Sequence, residues 1–313
     1  MNRDAQGLLP ISLIVVSDYE SGVKTWADEL ACVTAIAADP MAVPDQILVM
    51  AGGRAHAQDE PPDALQVIPN CEIVFTEVDS SVGLKNRGLA LCKYDLVAIV
   101  EADCLPERAW LLLLYDYMAG HPQSGVVSGR TLYEGNGMLR RVMSLIDRGY
   151  LEKPNGKGQF EHYSANGALF RRELLVAIPL PEKANPFIAV HLHHKLLHND
   201  GVVFAVENRA VLRHAFPSFS FIWDLRRNKG YQFATVQGTD GASLLGRAWT
   251  ALRVARRSFS YDWKVSRRLF TSYCRKRDSV LWLFVMLYVR LPEMSGAFAA
   301  GKQTNNLRST FYK

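Results

Sequence analysis

The sequence predicts an α/β protein, with a mainly parallel, Rossmann-like sheet flanked by helices over residues 1–235 and a helical C-terminal region over 236–313. Two observations predict it. Short apolar, β-branched runs alternate with segments of helical spacing through the first half of the chain, the pattern of parallel strands joined by crossover helices. The charge is also unevenly spread: residues 247–278 hold ten Lys or Arg against only Asp262 and Asp278, so the C-terminal stretch is set apart from a mildly acidic remainder.

ISLIVVS (11–17) reads as a buried strand, and VKTWADELACVTAIAA (23–38) as a helix ended by Asp39-Pro40. QILVMAGG (46–53) is a second strand and CEIVFTEV (71–78) a third, followed by a helix around 83–92. DLVAIVEAD (95–103) is a fourth strand ending in two carboxylates; WLLLLYDYMAGH (110–121) reads as a helix and SGVVSGRTLY (124–133) as a strand. Ligands of such sheets bind at the carboxyl ends of the strands. No GxGxxG follows the first strand and no GxxxxGK[ST] occurs, so the dinucleotide fingerprint and the Walker loop are both absent.

At 313 residues, 49% hydrophobic and 21% charged, the composition excludes wholesale disorder. Five cysteines without a CxxC pair exclude a tetrathiolate zinc site and fit a reducing, cytoplasmic compartment. The N-terminus reads as lacking a secretory leader, and no apolar run is expected to reach the ~20 residues of a membrane-spanning helix. VLWLFVMLYV (280–289), ended by Arg290, would extend only about 15 Å as a helix. Joined to the basic stretch, it suits peripheral contact with the anionic cytosolic face of a membrane. The alternative is a core helix beside a solvated basic one. No nucleic-acid recognition motif accompanies the charge, so a nucleic-acid partner is not expected.

Residues 80–111, SSVGLKNRGLALCKYDLVAIVEADCLPERAWL, carry the most information. Glu101 and Asp103 flank one residue at a strand end, where two carboxylates can face one hard divalent cation, Mg²⁺ or Mn²⁺. The Lys-Asn-Arg-Gly segment, the apolar strand, the acidic pair, the proline and Trp-Leu resemble family 2 glycosyltransferases of the GT-A fold. ISLIVVSDYE (11–20), SANGALFRRELL (164–175) and NDGVVFAVENRAVLRHAFP (199–217) are similar to further segments of that family in the same order.

The resemblance implies transfer of a sugar from a nucleotide-diphospho-sugar donor to a lipid-linked, polysaccharide or other acceptor, with inversion. Under it, Glu101, Asp103 and His214 hold the metal, which neutralises the donor diphosphate. Ser17 stands at the nucleotide pocket. Lys85 and Arg87 pair with phosphate or base, Asn86 bonds the nucleoside, and Gly88 permits close approach. Asn166 and Gly167 line the acceptor cleft, and Arg226 and Arg227 clamp phosphates or form a solvated helix face. The family's Glu-Asp pair is replaced by Ile188-Ala189, which cannot take a proton. His191 is the nearest titratable residue and the candidate base, with Glu182 more distant. The missing pair keeps a second reading open: a GT-A-like module that binds a sugar nucleotide or a partner protein without turnover.

Overall fold

A computed structural model of the chain describes residues 8–17, 26–52, 60–78, 80–156, 158–182, 186–216, 219–236 and 243–300. Contacts divide the chain into two compact units, Met1–Leu132 with Leu151–Ala215, and Tyr133–Tyr150 with Phe216–Lys313.

The first unit runs β1 (Leu9–Ser17), α1 (Ala27–Ala37), β2 (Pro44–Gly52), α2 (Asp63–Gln66), β3 (Cys71–Thr76), α3 (Ser81–Leu91), β4 (Leu96–Glu101), β5 (Cys104–Pro106) and α4 (Trp110–Gly120). After β6 (Ser124–Tyr133) the chain enters α5 (Met138–Arg148) of the second unit, then returns for β7 (Ala168–Arg171), α6 (Arg172–Ala177), α7 (Pro186–Asn199) and β8 (Val203–His214). The strands form one sheet of order β3-β2-β1-β4-β7-β6-β8-β5. β3, β2, β1 and β4 are mutually parallel. β7 runs antiparallel to β4 and β6, and β5 antiparallel to β8.

The sheet is thus a parallel half joined to an antiparallel half, and the alternation of strands and helices foretold the first. β1 and β4 are mainly apolar and buried along almost their whole length because both of their faces are covered. Leu13, Val15, Val49, Ala98 and Val100 pack one face with Trp110 and Leu114 of α4 and Cys32 of α1. Ile14, Val16, Met50, Val97 and Ile99 pack the other with Leu84 and Leu89 of α3. This period-2 division of one run fixes which strand residues can reach which helix.

The second unit is helical: α5, α8 (Phe219–Val236), α9 (Leu244–Tyr273), α10 (Ser279–Tyr288) and α11 (Arg290–Ala299). Ser243 starts α9 by accepting a hydrogen bond from the Gly246 amide at 3.2 Å. α8 and α11 cross closely: a Cβ on Gly230 would strike the Glu293 backbone, and one on Gly296 would strike the Arg227 carbonyl. Arg290 does not end the apolar segment as expected from its charge. Its guanidinium is buried against Asp262 and Glu293, and helical structure resumes at α11. Residues 276–299 are, by length and composition, long and apolar enough to cross a bilayer, with 44% of the most apolar window buried.

Candidate functional site

The parallel strand order reverses between β1 and β4: β2 and β3 lie on one side of β1, and the chain then returns to its other side. The crevice outside the carboxyl ends of those two strands is where open α/β sheets bind ligands. The sequence delivers its polar residues there. Val16 and Glu101 are register partners at the strand ends, and the Ala102 amide donates to the Val16 carbonyl at 3.0 Å. Ser17 ends β1, buried, and its hydroxyl donates to Glu29 in the first turn of α1.

Glu101 is held from two sides. Ser80 caps α3 by accepting from the Gly83 amide at 3.1 Å. Gly88 lets α3 approach β1; a Cβ there would lie 2.8 Å from Ile14 Cγ2. Lys85, one turn earlier on that face, thereby reaches the strand end and donates from Nζ to Glu101 Oε1 at 3.0 Å, both groups buried. From the other side, the antiparallel register Ile99↔Ala168, continued by two places, sets Asn166 opposite Glu101. Asn166 Nδ2 donates to Glu101 Oε2. Gly167 makes this approach feasible at φ +117°, its amide bonded to Ile99 and its carbonyl to the Gly129 amide. Any Cβ there would strike Leu212.

Asp103 and His214 meet next to this clamp. β5 and β8 are antiparallel with Cys104 opposite His214, and the Ala215 amide bonds the Asp103 carbonyl at 3.0 Å. Asp103 Oδ2 lies 3.5 Å from His214 Nε2. His214 Nδ1 donates to the Ala215 carbonyl at 2.7 Å, which directs Nε2 toward the carboxylate. Such a backbone acceptor on the remote ring nitrogen is how metal-binding histidines are oriented. Ligand atoms of Asp103, Cys104 and His214 lie within 4.8 Å of one another. Burial raises the Asp103 carboxyl above its usual range; the His214 charge opposes this and Glu101 adds to it. Burial, then Asp103, Glu29 and Asp28, likewise raise the neighbouring Cys32 thiol. Several carboxylates thus concentrate at this edge of the sheet, a field that attracts a cation.

The hard carboxylate oxygen suits Mg²⁺ or Mn²⁺, and the imidazole nitrogen beside it suits a first-row transition ion such as Mn²⁺. Glu101, expected as a direct ligand, already has one oxygen on Lys85 and the other on Asn166. Sequence reasoning missed this clamp, and it missed Cys104 as a neighbour of the acidic pair.

The other expected residues are placed differently. Asn86 clips the chain rather than reaching into the crevice: its amide donates to the Leu180 carbonyl at 2.8 Å and to Glu182 Oε1 at 2.9 Å. Arg87 is exposed, and Gly88 packs α3 closely on β1. Gly167 lies inside the sheet's hydrogen bonding, where its conformation positions Asn166.

Arg226 and Arg227 belong to the second unit. Arg226 is fully buried among Asp147, Asp262 and Glu293, which excludes the solvated-face reading and occupies the guanidinium that a phosphate would need. Arg227 is half-buried. On α7, the ring of His191 is half-buried, and burial followed by the Lys195 charge lowers its pKa. His193 accepts from the Tyr163 hydroxyl and donates to the Ile178 carbonyl at 2.6 Å; His194 Nε2 sits 3.1 Å from the Tyr163 carbonyl. These two rings tie α7 to the segment that carries Asn166. Ala189 is buried, and the side chain of Ile188 lies outside the described residues.

Glu101→Gln separates a clamp from a ligand. Breaking the buried pair strands the Lys85 ammonium, so the variant is expected to lose about 3 kcal/mol of stability. Lys85→Met in the same chain is expected to restore part of that loss. Denaturant titration of the single and double variants checks it, and unchanged stability in Glu101→Gln contradicts the clamp.

Residues 59–178 match the profile of Glycosyl transferase family 2. No curated protein sequence matches the chain. Among solved structures, the chain is similar to a mannosyltransferase from Pyrobaculum calidifontis determined with GDP-Man and Mn²⁺. The TM-score is 0.56 at 14% identity, over 93% of this chain and 86% of that one. It is also similar to glucosyl-3-phosphoglycerate synthase from Mycobacterium tuberculosis, determined with Mn²⁺, UDP and phosphoglyceric acid. There the TM-score is 0.50 at 17% identity, over 73% and 78% of the two chains. The architecture is that of the GT-A fold. The matched segment spans α3, β4 and the acidic pair.

Proposed function

We propose that the protein is an inverting glycosyltransferase that takes its sugar from a nucleotide-diphospho-sugar. The observation that carries this reading is the Asp103–His214 pair, oriented for a cation at the strand switch point inside the family-matched fold. Asp103 and His214 would hold Mg²⁺ or Mn²⁺, with Cys104 beside them. When bound, the ion supplies positive charge opposite the donor diphosphate, where negative charge grows as the glycosidic bond breaks.

The chain's own residues do the rest. The Lys85–Glu101–Asn166 clamp fixes the end of β4, so Asp103 is presented without reorganisation. Asn86 holds the 180–182 segment ahead of α7. His191 takes the proton of the acceptor hydroxyl: burial keeps its ring neutral near pH 7, with a lone pair to accept it. The acceptor is a saccharide hydroxyl, lipid-linked or on a polysaccharide. Screening donor hydrolysis across UDP-, GDP- and dTDP-sugars, with and without Mn²⁺, tests the reading; no metal-dependent turnover of any donor counts against it.

Ile188-Ala189, where the family carries its carboxylate pair, favours a second reading as a donor-binding module without turnover. His191→Ala distinguishes the two. The enzyme reading expects turnover to fall about 10²-fold with donor affinity unchanged, since a general base acts on the chemical step. Full activity in the variant removes His191 from the mechanism. Donor binding without turnover in the unmodified protein establishes the module.

A further inference from the structure

The outer face of α10, continued by Leu291 of α11, is an apolar stripe. Val280, Leu283, Phe284, Leu287 and Leu291 recur at intervals of three and four residues, so at 100° per residue they share one arc about 100° wide. All five are exposed, Val280 at 80% and Phe284 at 63%. Trp223 of α8 abuts this helix, its ring 6.2 Å from that of Tyr288. Single exposed apolar residues need no explanation, but a contiguous patch of this kind marks a contact surface.

Two further observations say what the surface meets. Arg275, Lys276 and Arg277, all exposed, precede the stripe without an exposed acidic residue among them. Cations at the end of an apolar, aromatic-bearing stripe complement a bilayer's anionic headgroups and its acyl boundary together. A soluble polyanion would leave the apolar part unused.

The opposite face of the same helical run is packed into its bundle, which favours lying along a surface over crossing a bilayer. Trp282, Val285 and Met286 are buried, and Trp282 stacks on Trp263 of α9 at 4.9 Å between ring centroids. Further along, Arg290 and Glu293 are buried in ion pairs with Asp262 and Arg226. Pulling residues 276–299 out to span a membrane would strand those charges, which is far costlier than leaving the helix in its bundle.

We propose that the α10 stripe, with Arg275, Lys276 and Arg277, is an in-plane docking surface for an anionic lipid bilayer. It is independent of the donor chemistry: a protein that floats with vesicles but turns over no sugar nucleotide leaves it standing. The test is flotation of the full chain with vesicles of phosphatidylcholine alone or mixed with phosphatidylglycerol. Binding is expected only with the anionic mixture, falling as salt rises and released by alkaline carbonate. Lys276→Glu with Arg277→Glu should lower partitioning at least about 25-fold, since each cation near the surface is worth roughly fivefold. Leu283→Ser, Phe284→Ser and Leu287→Ser together should abolish it; these side chains are exposed, so an unchanged thermal melt shows that the fold is intact. Three results overturn the proposal. One is no binding to anionic vesicles at low salt. Another is resistance to carbonate, which assigns the helix to a span. The third is a dimer in light scattering that the triple variant converts to monomer without any vesicle binding, which assigns the stripe to a second copy of the chain.

Discussion

Asp103→Asn is expected to abolish divalent-dependent binding of a nucleotide sugar and to lower turnover by at least about 10³-fold, with the fold unharmed. The substitution keeps the shape of the side chain and one oxygen near His214 Nε2 but removes the charge that a hard cation requires. Burial and the nearby Glu101 carboxylate already disfavour the ionised form of Asp103. Removing that charge relieves the burial penalty and the Glu101 repulsion while giving up the His214 contact, so the melting temperature should change little. This is the reverse of Glu101→Gln, which should lose stability through stranded Lys85. Calorimetric titration of Mn²⁺ and donor into both variants, alongside thermal melts, checks the pair of outcomes. Unchanged Mn²⁺-dependent binding in Asp103→Asn removes the metal from this site.

The difference between those carboxylates marks where sequence reading succeeds and where it stops. The run DLVAIVEAD announces a buried strand with acids at its carboxyl end because both signals are local: apolar continuity, then charge. Whether an acid binds a metal or a neighbouring side chain depends on what the fold brings beside it. Lys85 reaches Glu101 from 16 residues away only because Gly88 lets α3 close onto β1. Asn166 arrives from 65 residues away through the antiparallel register of β7. β5, three residues long, has no periodicity to read, yet its pairing with β8 sets His214 beside Asp103. The parallel half of the sheet was legible because crossover units repeat a pattern along the chain; of the antiparallel half β6 was read as a strand, but the pairing of β5, β7 and β8 across long separations was not.

Arg226 shows the same limit for a cation, and it carries the other large expected effect. Its position after the late histidine suggested a phosphate clamp, but a guanidinium with no exposure cannot meet a phosphate without first leaving its carboxylates. It links Asp147 of α5, Asp262 of α9 and Glu293 of α11 from its place on α8, and Arg290 completes the group through Asp262 and Glu293. Arg226→Ala strips Asp147 of its guanidinium and leaves Asp262 and Glu293 to Arg290 and the nearby Lys229 charge. Breaking a single buried pair costs 3–5 kcal/mol, so the loss here should reach about 5 kcal/mol or more. For a domain of this size that corresponds to a fall in melting temperature of roughly 10–20 °C. Donor affinity measured below the new transition should stay within about twofold of the unmodified protein, because the arginine's partners are all within its own unit. A double variant that also neutralises Asp147, its partner on α5, as Asp147→Asn should recover part of the stability, since one stranded charge is removed with the arginine. The opposite pattern, a stable Arg226→Ala protein with weakened donor binding, would return the residue to the phosphate role. In that case the buried network must open when the donor binds.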